Sequence, residues 1–254
     1  MPNLPEYAEK NREYWSRTSQ DWVEPGRRSW ADPTIVWGIW SLPESEVQAL
    51  GDLGRFAGKD VIELGCGTGY VSSWMARLGA RPVGIDVTPA QLDSARSFQK
   101  EFGIEFPLFE GNAEAVPLPD CSFDFAISEY GASIWCDPYK WIPEAARLLR
   151  TGGELMFLRN STLSMLCTPD MGPAQEKLCR PWRSINRLEW PGEGVEFQLP
   201  AGDMVRLLVG AGFRIDNLIE LFAPPDAVDT RHEYVKADWA MQWPSEEFWC
   251  ATKV

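Results

Sequence analysis

The run Val61-Ile62-Glu63-Leu64-Gly65-Cys66-Gly67-Thr68-Gly69-Tyr70 decides how the rest of the chain is read. An acid sits inside a short apolar run, three glycines follow on alternate positions, and a helical pattern starts at Tyr70. Physically this is a buried strand, a sharp turn and a helix N-terminus. Glycines permit positive φ and let a ligand approach bare backbone. The helix start adds unpaired N–H groups and partial positive charge, which attract electron-rich ligand atoms. The spacing separates this turn from other nucleotide loops. A dinucleotide turn needs G-x-G-x-x-G/A, and here Tyr70 takes the last position. No Gly-Lys-Ser/Thr follows, so the run is not a P-loop.

Working outward, the pattern predicts a helix from Tyr70 to Leu78 stopped by Gly79, then a strand over Pro82–Ile85 ending at Asp86. Thr88-Pro89-Ala90-Gln91 reads as a helix start with a capping box, and that helix runs to Phe102. Further strands are expected over Phe106–Glu110, Phe123–Ser128 and Glu154–Arg159, with a helix over Trp141–Arg150 broken by Thr151-Gly152-Gly153. Residues 160–200 lose the rhythm and read as an insertion holding Arg180, Arg183 and Arg187. A helix over Asp203–Val209, a strand over Phe213–Phe222, a loop over Ala223–Pro244 and a strand over Glu247–Lys253 close the chain. Alternating strands and helices imply right-handed βαβ units and a parallel sheet covered on both faces; the strand–loop–strand ending implies an antiparallel hairpin at its edge.

The first fifty residues read as a helical cap, with helices over Pro5–Arg17 and after a Ser41 N-cap, and with no strand alternation. Their tryptophans and Tyr14 either close a pocket or pack the cap onto the core. The divisions expected are a cap over 1–56, a ligand-binding core over 57–160, an insertion over 161–200 and a last helix with hairpin over 201–254, all in one domain.

Composition excludes several classes. The 254 residues carry 44% hydrophobic side chains and a net charge of −13, enough for one large buried core and unfavourable for phosphate backbones or anionic membranes. The six cysteines form no C-x-x-C pair and no metal-finger spacing. Met1–Lys10 lacks an apolar core and no run reaches membrane-spanning length, so a cytoplasmic protein is the expectation. Asp86 ends its strand about twenty residues past the glycine turn, where a carboxylate accepts two bonds from a ribose diol or simply precedes a helix.

The acid-x-Gly-x-Gly-x-Gly form of Glu63–Gly69 resembles the first motif of class I S-adenosylmethionine-dependent methyltransferases, of the ubiquinone-biosynthesis-like group acting on small molecules. The resemblance covers Lys59–Arg159 through the glycine turn, Asp86, the Gly111-Asn112-Ala113-Glu114 loop and the Gly-Gly turn. It implies a Rossmann-like α/β fold with a seven-stranded, mostly parallel sheet whose last strand is antiparallel beside the fifth. It implies S-adenosyl-L-methionine as cofactor and a small-molecule acceptor, methylated by in-line displacement. Tyr14, Glu63, Gly65, Cys66, Gly67, Gly69, Asp86, Val87, Asn112, Ala113, Glu114 and Glu129 are the implied cofactor residues. The family usually has Asp where this chain has Asn112, whose amide oxygen still accepts from the adenine amine. Glu114 is either part of that loop or a solvated helix-start acid. Glu129 is either a general base or a contact for the cationic cofactor. His232 is either the base for an acceptor or an incidental loop residue. The arginine cluster either holds an acidic substituent of the acceptor or is solvated surface. The alternatives are a non-catalytic binder of the cofactor and an NAD-dependent oxidoreductase.

Overall fold

The apolar runs close into one seven-stranded sheet. A computed structural model describes it over residues 4–254; the first three residues of the Met1–Lys10 lead lie outside the described part. Helices α1 (Glu6–Thr18) and α2 (Val23–Ala31) come first, and β1 is Asp60–Leu64. Helix α3 (Tyr70–Arg77) leads to β2 (Arg81–Asp86), and α4 (Pro89–Phe102) leads to β3 (Leu108–Glu110). Then come β4 (Phe123–Glu129), α5 (Pro138–Leu148), β5 (Leu149–Asn160), α6 (Ala201–Gly210), β6 (Phe213–Leu221) and β7 (Glu246–Lys253). The strand order is β6-β7-β5-β4-β1-β2-β3, with β7 antiparallel to both β5 and β6 and the other pairs parallel. This is the sheet the resemblance implies.

Period-two alternation splits the strand residues between two cores. Ile62 and Leu64 face a cluster with Trp141, Phe157 and Trp249, while Val61 faces Trp74, Phe125 and Phe248 on the other side. Arg159 in β5 is 1% exposed and donates to Glu247 of β7 at 2.7 Å and to the Leu199 carbonyl at 2.8 Å. A buried arginine survives only with such partners.

Several local expectations need correction. Gly152 and Gly153 do not stop a helix. Helix α5 begins early because Asp137 accepts the Tyr139 N–H at 3.0 Å and Pro138 fits the first position, and it ends at Leu148. The glycines lie inside β5, where Phe123 pairs with Leu149 but Phe125 with Glu154, so the residues between bulge out. Ser41 is no N-cap: its φ is 52°, and the helix over Glu44–Val47 starts from Pro43. Strand is present in the cap after all, as a two-residue ladder of Val36–Trp37 with Leu42–Pro43. Helix α2 has a proline and a glycine inside it, which hid it from a propensity reading.

The insertion holds a helix over Thr162–Cys167 and a ladder of Leu188–Glu189 with Val195–Glu196. Buried Asn11 of α1 ties it down. Its Oδ1 accepts the Val195 N–H at 2.6 Å, and its Nδ2 donates to the carbonyls of Val195 at 2.9 Å and Trp135 at 3.0 Å. One amide thus joins the cap, the insertion and the segment leaving β4.

Candidate active site

The carboxyl ends of β1, β2 and β4 open into a cavity of about 740 Å³, within the roughly 300–1,000 Å³ of ligand sites. The glycine turn forms its floor. Gly65 has φ +76°, and a Cβ there would lie 2.6 Å from the Ala132 nitrogen, so bare backbone is needed where β1 and β4 meet. Gly67 has φ +51° and open space where a Cβ would be, so a ligand can lie against it. Cys66 also lines the cavity, with a thiol pushed well up by burial and therefore unreactive. Gly69 does not line it. It precedes α3 and faces Ala95 and Phe106 at 3.5 Å, so its role is the turn itself.

Asp86 and Val87 stand beside this floor. Asp86 accepts the Gly67 N–H and the Thr88 N–H, each at 2.8 Å, and these bonds oppose the upward push of burial on its carboxyl. The capping box predicted next to it does not form. The Thr88 side chain makes no cap bond, and the Oε1 of Gln91, which lines the cavity, has no partner among the described residues. Glu63 lines the cavity from beneath, where its Oε2 accepts the Ser72 N–H at 2.8 Å. Burial raises its carboxyl to about 8, against the pull of the Ser72 bonds.

Asn112 and Ala113 line the far end. One lone pair of the Asn112 Oδ1 is already taken by the Glu114 N–H at 3.0 Å. Glu114 faces away from the cavity: it accepts the Tyr7 hydroxyl at 2.6 Å and the Asp137 N–H at 2.8 Å, with the Lys140 ammonium 3.7 Å away. It is neither a cavity residue nor a solvated acid. It anchors α1 to the start of α5.

At the opposite end, Glu129 accepts the Tyr70 hydroxyl and, at 3.0 Å, the Gly38 N–H. Burial raises its carboxyl and holds the Tyr70 phenol protonated. Tyr130 donates to Glu246 Oε1 at 2.6 Å and meets the Tyr234 hydroxyl at 3.3 Å. Burial also lifts Glu246 to about 8. Sequence reasoning missed Tyr70, Gly38, Tyr234 and Glu246. The acid pair Glu246-Glu247 opening an apolar final strand was the available signal for the last; the others depend on the cap's path.

Aromatic rings close the outer side. Trp15 lies 5.1 Å from Trp135 and 5.5 Å from Trp22, and Tyr14 lies 6.2 Å from Trp135, between ring centroids. Trp22 lies 6.0 Å from His232, which lies 6.0 Å from Tyr234. Arg231 donates to the Asp21 carbonyl at 2.9 Å, joining the 223–244 loop to the cap. His232 is brought to the cavity, but burial and the Arg231 charge lower it to about 4, so it stands neutral at pH 7 and is a weak base. Arg180, Arg183 and Arg187 do not converge and none lines the cavity. Arg180 donates to the Thr168 carbonyl, Arg187 pairs with Glu189 at 2.7 Å, and Arg183 is exposed.

A glycine-floored cavity at the carboxyl edge of a β6-β7-β5-β4-β1-β2-β3 sheet, with a carboxylate ending β2, is the arrangement that a resemblance to class I S-adenosylmethionine-dependent methyltransferases implies. Comparison with known proteins agrees. The methyltransferase-domain family matches residues 62–157. A probable S-adenosylmethionine-dependent methyltransferase of Mycolicibacterium smegmatis is 26% identical over 180 residues, 70% of this chain and 62% of that protein. The malonyl-[acyl-carrier protein] O-methyltransferase of Serratia marcescens is 34% identical over 122 residues, 48% of this chain and 45% of that protein. The matches thus span between about two fifths and three fifths of these relatives. An S-adenosylmethionine dependent methyltransferase from Mesorhizobium loti shares the fold, with a TM-score of 0.64 at 20% identity over 79% of this chain and 95% of that one.

Proposed function

We propose that this chain moves a methyl group from S-adenosylmethionine to a small-molecule acceptor by in-line displacement. One observation carries the reading. A single cavity runs from the bare backbone of Gly65 and Gly67, past Asp86, to an aromatic enclosure with room for a second molecule. The residues fit the cofactor. The cradle at Gly67 and the unpaired Oε1 of buried Gln91 are both features a polar ligand would complete.

Asp86 would hold the ribose hydroxyls with Val87 beside it, and Asn112 and Ala113 would meet the adenine. Gly65, Cys66, Glu63, Glu129 and Tyr14 would surround the methionine end. When bound, the cofactor supplies an already activated sulfonium methyl. The chain therefore supplies position, excluded water and negative charge near a cation. Glu129 is committed to Tyr70 and Gly38, so we assign it to fixing the cap and the cationic end, and we assign no general base to His232. Residues 4–56 and 161–200 would cover the acceptor. No helix among the described residues is long and apolar enough to cross a membrane.

Titration calorimetry with S-adenosylmethionine, S-adenosylhomocysteine and NADH tests the binding half: heat is expected from the first two alone. Incubation with labelled methyl donor and a metabolite extract tests the transfer half. Binding without any labelled product would favour a non-catalytic cofactor binder.

A further inference from the structure

We propose that the outer half of this cavity is built for an acceptor carrying a basic nitrogen, an amine that meets the Glu196 carboxylate inside the aromatic enclosure. This rests on the methyl-transfer reading and names its acceptor class.

Glu196 belongs to the short ladder that Asn11 anchors, is 9% exposed and lines the cavity. Its carboxylate lies beside Trp190, yet its Oε2 has no hydrogen-bond partner among the described residues. Asn160, also buried and also lining the cavity, presents an Oδ1 with no partner among the described residues. Two buried acceptors lacking donors are an unusual expense in a folded core, and a ligand that brings N–H groups removes it.

Charge points the same way. Asp21, Asp170, Glu193 and Glu233 stand around the rim, against one cation, Arg231. That guanidinium is already held over the Trp22 ring at 4.6 Å and by the Asp21 carbonyl. Arg180 lies 4.8 Å from the Trp190 ring and its charge pulls the Glu196 carboxyl down, but its hydrogen bonds go to Thr168 and Asp170. His232 adds no charge at pH 7. Tyr14, Trp22, Trp135 and Trp190 supply the π faces that attract ammonium groups. A carboxylate or phosphate acceptor would meet net repulsion here, and a phenol would leave the field unused.

The step balances. An amine that arrives protonated passes its proton to the Glu196 carboxylate. The freed lone pair attacks the donor's methyl carbon. The C–N bond forms, the C–S bond breaks with its electron pair going to sulfur, and the product leaves as a methylammonium while Glu196 returns its proton to solvent. Burial that raises the Glu196 carboxyl to about 7 suits this exchange.

The test uses 2-phenylethylamine, 2-phenylethanol and phenylacetate, each titrated calorimetrically into the full chain saturated with S-adenosylhomocysteine. The amine is expected to bind about tenfold or more tighter than the alcohol, with the acid weakest. E196Q should erase the amine's advantage and leave S-adenosylhomocysteine affinity unchanged. An alcohol or acid that matches the amine, no binding by any of the three, or an unaltered ranking in E196Q overturns the proposal. If E196Q does not fold, the wild-type ranking decides alone. Absence of heat with S-adenosylhomocysteine itself would instead sink the methyl-transfer reading.

Discussion

Asp86 shows how one carboxylate serves the turn and the ligand together. Its two oxygens already hold the N–H groups of Gly67 and Thr88, so the ribose would meet a carboxylate fixed in place before binding. Asp86→Asn should weaken S-adenosylhomocysteine binding by about 1.5–3 kcal/mol, the worth of hydrogen bonds to a charged group, with circular dichroism unchanged. Calorimetry on the variant checks it, and undiminished affinity would remove Asp86 from the site. His232 offers the opposite case. As a neutral wall residue it should be replaceable: H232F should keep the shape of the pH–rate profile for whatever amine proves to be methylated. Loss of one limb of that profile would return it to the role of base.

At the scale of elements, the glycine turn separates folding from binding. In Gly65→Ala the new Cβ would press on the Ala132 nitrogen at 2.6 Å and adopt positive φ, where nothing soft can move aside. We expect a loss of about 3 kcal/mol or more in denaturant unfolding, as for strain at a special backbone position. Gly67→Ala meets open space and should cost only about 1 kcal/mol of stability through its left-handed backbone, yet it fills the cradle and should abolish cofactor heat. Equal stabilities would show that the close approach of β1 to the start of the segment after β4 is not a constraint. The link between β5 and β7 is tested by Arg159→Met. It strands the Glu247 carboxylate in a dry interior, and removing one member of a buried pair costs about 3–5 kcal/mol. Chemical denaturation of the variant measures it.

The whole molecule carries a formal net charge of −13, and part of it belongs to carboxyl groups whose titration burial raises. Glu63 and Glu246 sit at about 8 and Glu196 at about 7 when folded, all above the ordinary 4.5. The folded state therefore binds more protons than the unfolded state between those limits. Stability from these groups is fully present below pH 4.5 and is lost as pH rises toward 8. The melting temperature of the ligand-free protein should fall from pH 5 to pH 8. A cation bound among the same carboxyls should restore part of the loss and release protons, seen as a buffer-dependent calorimetric enthalpy. A melting temperature that climbs across this range would contradict these assignments.

The extent to which all this was legible follows the range of the forces involved. The stretch around Gly65 determined its own turn, and the alternation of strands and helices implied a parallel sheet with a closing antiparallel hairpin, because side-chain period and glycine chemistry act within a few residues; the place of the last strand beside the fifth was what the resemblance implied. That Glu114 turns away from the cavity to anchor α1 was hidden for the same reason. Glu114 lies near the site in sequence, but the partner that claims it, Tyr7, comes from 107 residues away. Only the tertiary structure decided that the cap, the insertion and the 223–244 loop meet over one cavity, that Glu129 is occupied by Tyr70 and Gly38, and that the Glu196 Oε2 is buried there without a donor among the described residues. Burial and long-range pairing set those outcomes, and neither has a period that a sequence displays.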